Sequence, residues 1–216
     1  MKIDGLLADL GVSSYQFDTA ERGFSTRLEG ELDMRMNINS TFSAKNVVNN
    51  YPEEALANIF YKYGEIRNSK QLASRIVFER KRSNINTTSD LINVINNLVL
   101  ERYRNKFYAK VFQAIRIEVN DEISALEELL LTAEELLKPG ARLVVISYHS
   151  LEDRLIKNIV KKGNIEGNDE KDFFGNLTKR YMEINKKVIV PSNCEINENS
   201  RARSAKLRIA ERTNVK

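Results

Sequence analysis

A chain of 216 residues, 42% of them apolar, can bury one substantial core or one core with a small satellite, which excludes a disordered segment and a disulfide-stapled miniature. With a single cysteine, Cys194, and a single histidine, His149, no internal disulfide and no cluster of thiolate and imidazole ligands is possible; structural zinc is excluded and a reducing cytoplasm fits. The net charge of +4 is uneven: residues 179–216 hold ten Lys and Arg against four Asp and Glu, the preceding residues 24 against 26, so this tail suits a polyanion such as RNA or is an ordinary solvated face.

The first residues, Met1 to Asp9, contain too short an apolar run for a signal peptide, and no stretch of about 18 apolar residues follows, so a soluble cytoplasmic protein is expected. Residues 4–9 are apolar, close on a carboxylate and lead to Gly11. They read as a buried parallel strand that empties into a loop. Such a strand needs a neighbour reached through a crossover, so the chain reads as lacking its front. Residues 12–43 have no sustained period; a long irregular segment carrying repeated Arg and aromatic residues is expected to be functional.

Helices are predicted over 53–63, ending at Gly64, over 69–81 with Leu72, Ile76 and Arg80 on one face, and over 91–103 behind a Thr88 cap. A longer helical region, 108–138, breaks near Asn120-Asp121 and is stopped by Pro139-Gly140. A second buried strand is predicted over 142–148, then a helix over 151–162. Two further strands, 181–190 and 205–211, flank a polar connection. The rhythm is that of an α/β, doubly wound sheet.

In open sheets of this class ligands collect beyond the carboxyl ends of the strands, which makes Asp9 a candidate binding group beside Gly11, although an aspartate there also caps turns. Arg22-Gly23-Phe24-Ser25 and Leu32-Asp33-Met34-Arg35-Met36 interleave arginines with apolar side chains. They suit a phosphate and a splayed base, or equally a loop pinned by ion pairs. Ser147, His149, Ser150 and Asp153 suggest a hydrolase triad, but no Gly-x-Ser-x-Gly elbow surrounds either serine, and Ser150 reads instead as the N-cap of a helix with Asp153 at its third position. Arg201 and Arg203 alternate with small residues into a strand, placing both on one side to grip phosphates or to guard an edge.

Seven ordered blocks resemble one known family: Asp4-Gly5-Leu6-Leu7-Ala8-Asp9-Leu10-Gly11-Val12-Ser13-Ser14, Arg22-Gly23-Phe24-Ser25, Leu32-Asp33-Met34-Arg35-Met36, Tyr63-Gly64-Glu65, Phe112-Gln113-Ala114-Ile115-Arg116-Ile117-Glu118-Val119-Asn120, Ser147-Tyr148-His149-Ser150-Leu151-Glu152-Asp153-Arg154 and Arg201-Ala202-Arg203-Ser204-Ala205-Lys206-Leu207-Arg208. The family is the bacterial one that methylates the N4 amine of a cytosine in 16S ribosomal RNA with S-adenosyl-L-methionine. The resemblance implies a Rossmann-like methyltransferase domain with a helical domain inserted after its fourth strand. Residues 1–42 would hold that strand and an active-site loop, 43–105 the insert, and 106–216 the rest of the methyltransferase domain.

It further implies that Asp9 and Gln16 contact the cofactor. The amine chemistry of that reaction makes Asp9 the candidate catalytic acceptor, and the need for an unstacked base assigns Arg22, Arg35, His149, Arg154, Arg201 and Arg203 to positioning the substrate, 16S ribosomal RNA or the small ribosomal subunit. The family's Gly-Gly-His loop and its first three strands have no counterpart in the sequence; the nine glycines include no Gly-x-Gly pair. The alternative implied is a catalytically incomplete fragment that only binds RNA.

Overall fold

The computed structural model describes residues 2–169, 173, 175 and 179–214. Packing divides the chain into two units, Val12–Glu122 and Met1–Gly11 with Ile123–Lys216.

The unit Val12–Glu122 is helical. A short helix α1 (Ser14–Asp18) is followed by irregular chain, then α2 (Ala44–Asn50), α3 (Glu53–Lys62), α4 (Ser69–Arg80), α5 (Thr88–Ile95) and α6 (Arg104–Asn120). On α4, Leu72, Ala73 and Ile76 are buried, while Arg80 donates to the Val48 carbonyl at 2.8 Å. Helix α5 starts at Thr88 rather than Leu91, because Thr87 is the cap: its Oγ1 accepts from the Asp90 N–H at 3.0 Å and its own N–H donates to Asp90 at 2.9 Å. It ends at Ile95, well short of Tyr103; the poor helix formers Asn96 and Asn97 lie in the first of two 3₁₀ turns, Asn96–Leu98 and Glu101–Tyr103. The break at Asn120-Asp121 occurs as expected, Asp121 adopting a left-handed φ of 48°.

Leu32 and Met34, inside the irregular segment, are fully buried in the same core as Leu56, Phe60, Leu72, Leu91, Phe112 and Ile115. Packing therefore draws its lines at 11/12 and 122/123, not at 42/43 and 105/106, because both the irregular segment and α6 supply side chains to the core of α2–α5.

The other unit is built on four strands, β1 (Ile3–Asp9), β2 (Leu137–Ser147), β3 (Tyr181–Glu183) and β4 (Lys206–Arg212), in the order β1-β2-β4-β3. β1 runs parallel to β2; the other pairs are antiparallel. The register aligns Leu6 with Leu143, Ala8 with Val145 and Leu143 with Ala210, so these share one face. Against it pack Leu126, Leu130 and Ala133 of α7 (Glu122–Leu136) and Ile156, Ile159 and Val160 of α8 (Ser150–Lys162).

Three expectations change here. The first strand is parallel but not buried: none of its residues is fully buried, and Leu7 is 71% exposed. Among the described residues β2 alone pairs with it, and Leu7 lies opposite Val144 on the face that α7 and α8 do not cover. Pro139-Gly140 does not stop the helix, which ends at Leu136; β2 passes through both residues. It can do so because the ladder slips there, Ile3 pairing with Leu137 and Gly5 already with Arg142, so the proline sits where no donor is required. The strand expected over 181–190 ends at Glu183, with only an isolated bridge from Ile189 to Leu207 beyond it. The polar connection holds a short helix α9 (Asn193–Glu198).

Candidate active site at the carboxyl end of the parallel strands

β1 and β2 end side by side, with Asp9 opposite Ile146 and the Leu10 N–H donating to the Ile146 carbonyl at 3.1 Å. Tyr148 follows two residues after Ile146 and turns back across the strand end. Its hydroxyl donates to Asp9 Oδ1 at 2.9 Å. This is the only hydrogen bond to the Asp9 carboxylate among the described residues, so Asp9 caps no turn and keeps Oδ2 free; the residue is exposed. Gly11, at φ +84°, needs glycine's freedom, and a Cβ there would come within 3.9 Å of the Tyr148 ring. Burial, then the hydrogen bond to Asp9 and the charges of Asp9 and Glu152, push the Tyr148 phenol up to about 12. It stays a donor throughout the neutral range.

The start of α8 is built from its neighbours. His149, not Ser150, is the N-cap: its Nδ1 accepts from the Glu152 N–H at 3.4 Å, while Glu152 Oε2 accepts from the N–H groups of Tyr148 and His149 at 2.8 and 3.3 Å. Ser150 becomes the first helical residue because Glu152 occupies the third position of the reciprocal cap. Both side chains are buried, with His149 Nε2 3.3 Å from Glu152 Oε1. Asp153 is elsewhere engaged, accepting from Arg208 Nε at 2.7 Å and Lys206 Nζ at 3.0 Å. Burial alone would raise its carboxyl, but these two cations outweigh it and hold the group below the usual carboxylate range. A triad using Asp153 is thereby ruled out.

Arg154 lies exposed on α8. Arg201 and Arg203 are exposed too, but on a 3₁₀ turn, Ser200–Ser204, rather than a strand. Two residues along such a turn means about 240° of rotation, so they do not share a side, and Ala202 between them is buried. β4 starts only at Lys206.

The remaining sequence candidates belong to the helical unit. Gln16 closes a reciprocal cap on α1, its Oε1 accepting from the Ser13 N–H at 2.9 Å, which leaves its amide N–H groups as donors. Arg22 donates to the Arg35 carbonyl and lies 5.7 Å from the centre of the Phe24 ring. Arg35 grips Asp33 with two bonds of 2.6 and 2.8 Å and donates to the carbonyls of Ile38 and Ser40. Burial raises Asp33, but the Arg35 hydrogen bonds and charge prevail and hold it below the usual range. Both guanidiniums thus pin the irregular segment. Asn120 completes the framework: its Oδ1 accepts from the Met36 N–H at 2.6 Å and its Nδ2 donates to the Met34 carbonyl at 2.8 Å.

A model of the MraW methylase family matches residues 1–213. The chain belongs to the MraW methylase family. Among its relatives are proteins named ribosomal RNA small subunit methyltransferase H from Bacteroides thetaiotaomicron, 57% identical over 211 residues, and Phocaeicola vulgatus, 58% identical over 210. That of Flavobacterium johnsoniae is 52% identical over 210 residues. These matches cover 97–98% of this chain and 69% of each relative. The mixed sheet with its helices is consistent with the Rossmann-like methyltransferase fold expected for this family member.

Sequence reasoning missed Tyr148, Asn120 and the Asp153–Arg208 pair as working residues. For Tyr148 a signal existed: it follows the strand adjacent to the one that ends on Asp9. For Asn120 none did, since its partners Met34 and Met36 are distant in sequence.

Proposed function

We propose that this MraW methylase family member transfers a methyl group from S-adenosyl-L-methionine to the exocyclic N4 amine of a cytosine in 16S ribosomal RNA, free or within the small subunit. One observation carries the reading: an exposed carboxylate, Asp9, stands at the carboxyl end of two parallel strands with one oxygen bound by Tyr148 and the other free among the described residues. The names of the relatives supply the substrate class.

The donor set suits the cofactor and the amine alike. Asp9 offers an anionic acceptor, Gly11 a backbone without a Cβ, and Gln16 an amide donor for cofactor contact. S-Adenosylmethionine supplies a methyl group on positively charged sulfur. The cytosine amine has its lone pair delocalised into the ring, so an acceptor for its N–H strengthens the nucleophile as the nitrogen–carbon bond forms and the carbon–sulfur bond breaks; the proton leaves nitrogen toward Asp9 and solvent. An exocyclic amine is reached only in an unstacked base. Arg22 and Arg35 shape the segment that faces the RNA, Arg154, Arg201 and Arg203 offer cations to phosphates, and His149 sets the start of α8, the helix that carries Arg154. The functional division at 42/43 and 105/106 and a cytoplasmic location belong to the same proposal; no described helix is long and apolar enough to cross a membrane.

A second reading, RNA binding without methyl transfer, rests on the basic excess of residues 179–216, ten Lys and Arg against four Asp and Glu. Transfer of labelled methyl groups to unmodified small ribosomal subunits separates the two. The first reading expects incorporation by the chain and a loss of at least about a hundredfold in Asp9→Ala, on the scale of acid–base catalysis. Undiminished turnover in Asp9→Ala overturns the role of Asp9; binding to RNA with no incorporation by the unaltered chain selects the second reading.

A further inference from the structure

Among the described residues, one oxygen of the carboxylate at the end of β1 is held and the other is free. We propose that Tyr148 is a positioning residue for the methyl transfer, fixing the Asp9 carboxylate through Oδ1 so that Oδ2 is presented to the N–H of the target amine; this rests on the reading of Asp9 given above.

An exposed aspartate turns freely about its terminal torsion, which is broad and roughly two-fold. Averaged over that motion, an acceptor points at an incoming amine only part of the time. The 2.9 Å bond from Tyr148 removes the freedom, since no other group among the described residues bonds this carboxylate. Tyr148 itself is held on both sides in sequence. It follows Ser147, the fully buried last residue of β2, and precedes His149, the cap of α8; its N–H is fixed on Glu152 Oε2 at 2.8 Å. The ring lies beside Gly11, where even an added Cβ would stand 3.9 Å away, in ordinary van der Waals contact.

The chemistry also defines what Tyr148 cannot do. Its phenol, pushed up to about 12, retains its proton across the neutral range and exchanges none with the amine. The proton lost from N4 therefore has Asp9 Oδ2 as its acceptor, and Tyr148 acts only by keeping Oδ1 occupied. A phenylalanine at this position keeps the ring and removes only the bond.

The test uses the full chain, with Tyr148→Phe, Asp9→Asn and the double variant. Methyl transfer to unmodified small subunits is measured over a range of cofactor and subunit concentrations, and the melting temperature of each variant is recorded. Tyr148→Phe is expected to lower kcat about tenfold, the scale of one hydrogen bond to a charged group, with KM for both substrates and the melting temperature unchanged. In the Asp9→Asn background the same substitution is expected to change the rate less than about twofold, because its effect passes through the carboxylate. Carbon-13 NMR of the tyrosine ring carbons tests the contact without turnover: Asp9→Asn is expected to bring the Tyr148 titration down from about 12 toward the ordinary tyrosine value.

An unchanged kcat in Tyr148→Phe, or equal effects in both backgrounds, overturns the positioning role while a deep loss in Asp9→Asn leaves the reading of Asp9 standing. A Tyr148 titration unmoved by Asp9→Asn overturns the contact itself. Full activity in Asp9→Asn, or none in the unaltered chain, overturns the reading beneath, and this inference with it.

Discussion

Asn120→Ala is the substitution whose cost is best defined by the geometry of the helical unit. The amide joins the end of α6 to the irregular segment, accepting from the Met36 N–H at 2.6 Å and donating to the Met34 carbonyl at 2.8 Å. Its third bond, to the Arg116 carbonyl at 2.8 Å, duplicates a helical partner and adds little. Met34 is fully buried and sits at φ 60°, a left-handed conformation that costs a residue of this kind about 1–3 kcal/mol and persists only when its surroundings impose it. Truncation leaves one N–H and one carbonyl unpaired, at about 1–3 kcal/mol each when water is excluded. Local relaxation of Met34 returns part of that, and about 3 kcal/mol is expected. For a chain of this size the melting temperature should fall by about 6–12 °C.

Urea titration should show a lower midpoint at an unchanged slope, which separates lost stability from a changed unfolded state. Since two packed units need not unfold together, hydrogen exchange of residues 30–40 should be followed as well, and the Met36 amide should lose its protection first. Asn120→Asp keeps the acceptor for Met36 but turns an anionic oxygen toward two carbonyls, so it should cost at least as much as alanine. A midpoint shift worth less than about 0.5 kcal/mol, the range of an inert surface substitution, would refute the clamp.

Asp153→Asn should destabilise the sheet unit by about 3 kcal/mol at neutral pH, as removal of one member of a largely buried ion cluster does. The carboxyl is held below its ordinary value by Arg208 and Lys206, so its contribution is present above the unfolded-state value of about 3.9 and is lost as pH falls through the lower folded value. Melts of the two proteins should differ fully at pH 7 and 5, and the gap should narrow steadily once pH falls below about 3.9; a gap that does not narrow between pH 5 and pH 2 contradicts the assignment. Arg203→Ala should weaken binding to a 16S ribosomal RNA fragment and reduce the slope of log affinity against log salt by roughly 0.7–1, the share of one phosphate contact; an unaltered slope removes Arg203 from the RNA surface. Leu7→Lys should leave stability within about 0.5 kcal/mol, because Leu7 is 71% exposed, while lowering aggregation in light scattering through a charge on the edge strand. A large loss of stability would mean that the outer face of β1 is covered after all.

Elements with strong periodicity were legible in the sequence because their own residues determine them. Leu72 and Ile76 on α4, the left-handed break at Asp121 and the apolar run of β2 all fall where spacing places them. What escaped depends on partners far along the chain. β1 reads as a buried strand from composition, yet its exposure is decided by what lies beside and above it. Pro139-Gly140 reads as a stop, yet the slip between Ile3 and Gly5 on β1 accommodates it. At the start of α8, propensity favours Ser150 as the cap, but Asp153 is bound to Arg208 and Lys206, and Glu152 is left to close the cap on His149. Of the candidate site, Asp9 was legible from its place at a strand end. The commitment of Arg22 and Arg35 to carbonyls and to Asp33 is a matter of tertiary geometry.

Three carboxylates of the sheet unit, Asp9, Glu152 and Asp153, come from blocks that mark the family, and their surroundings give them different work. Glu152 is buried and spends one oxygen, Oε2, on two backbone N–H groups at the entry to α8, while Oε1 lies 3.3 Å from His149 Nε2. Asp153 is largely buried and neutralised by two cations that tie β4 to that helix. Each has been desolvated, and each has its compensation in place, so neither can take on a proton acceptor's role without undoing a helix start or a strand contact. Asp9 alone of the three is exposed and, among the described residues, engaged by a single neutral donor and free at one oxygen. A group that must bond an incoming amine and then release a proton to solvent needs that combination: a fixed direction, an open lone pair and access to water. The proposed assignment of proton acceptance to Asp9 follows from this difference between three acids of similar intrinsic strength.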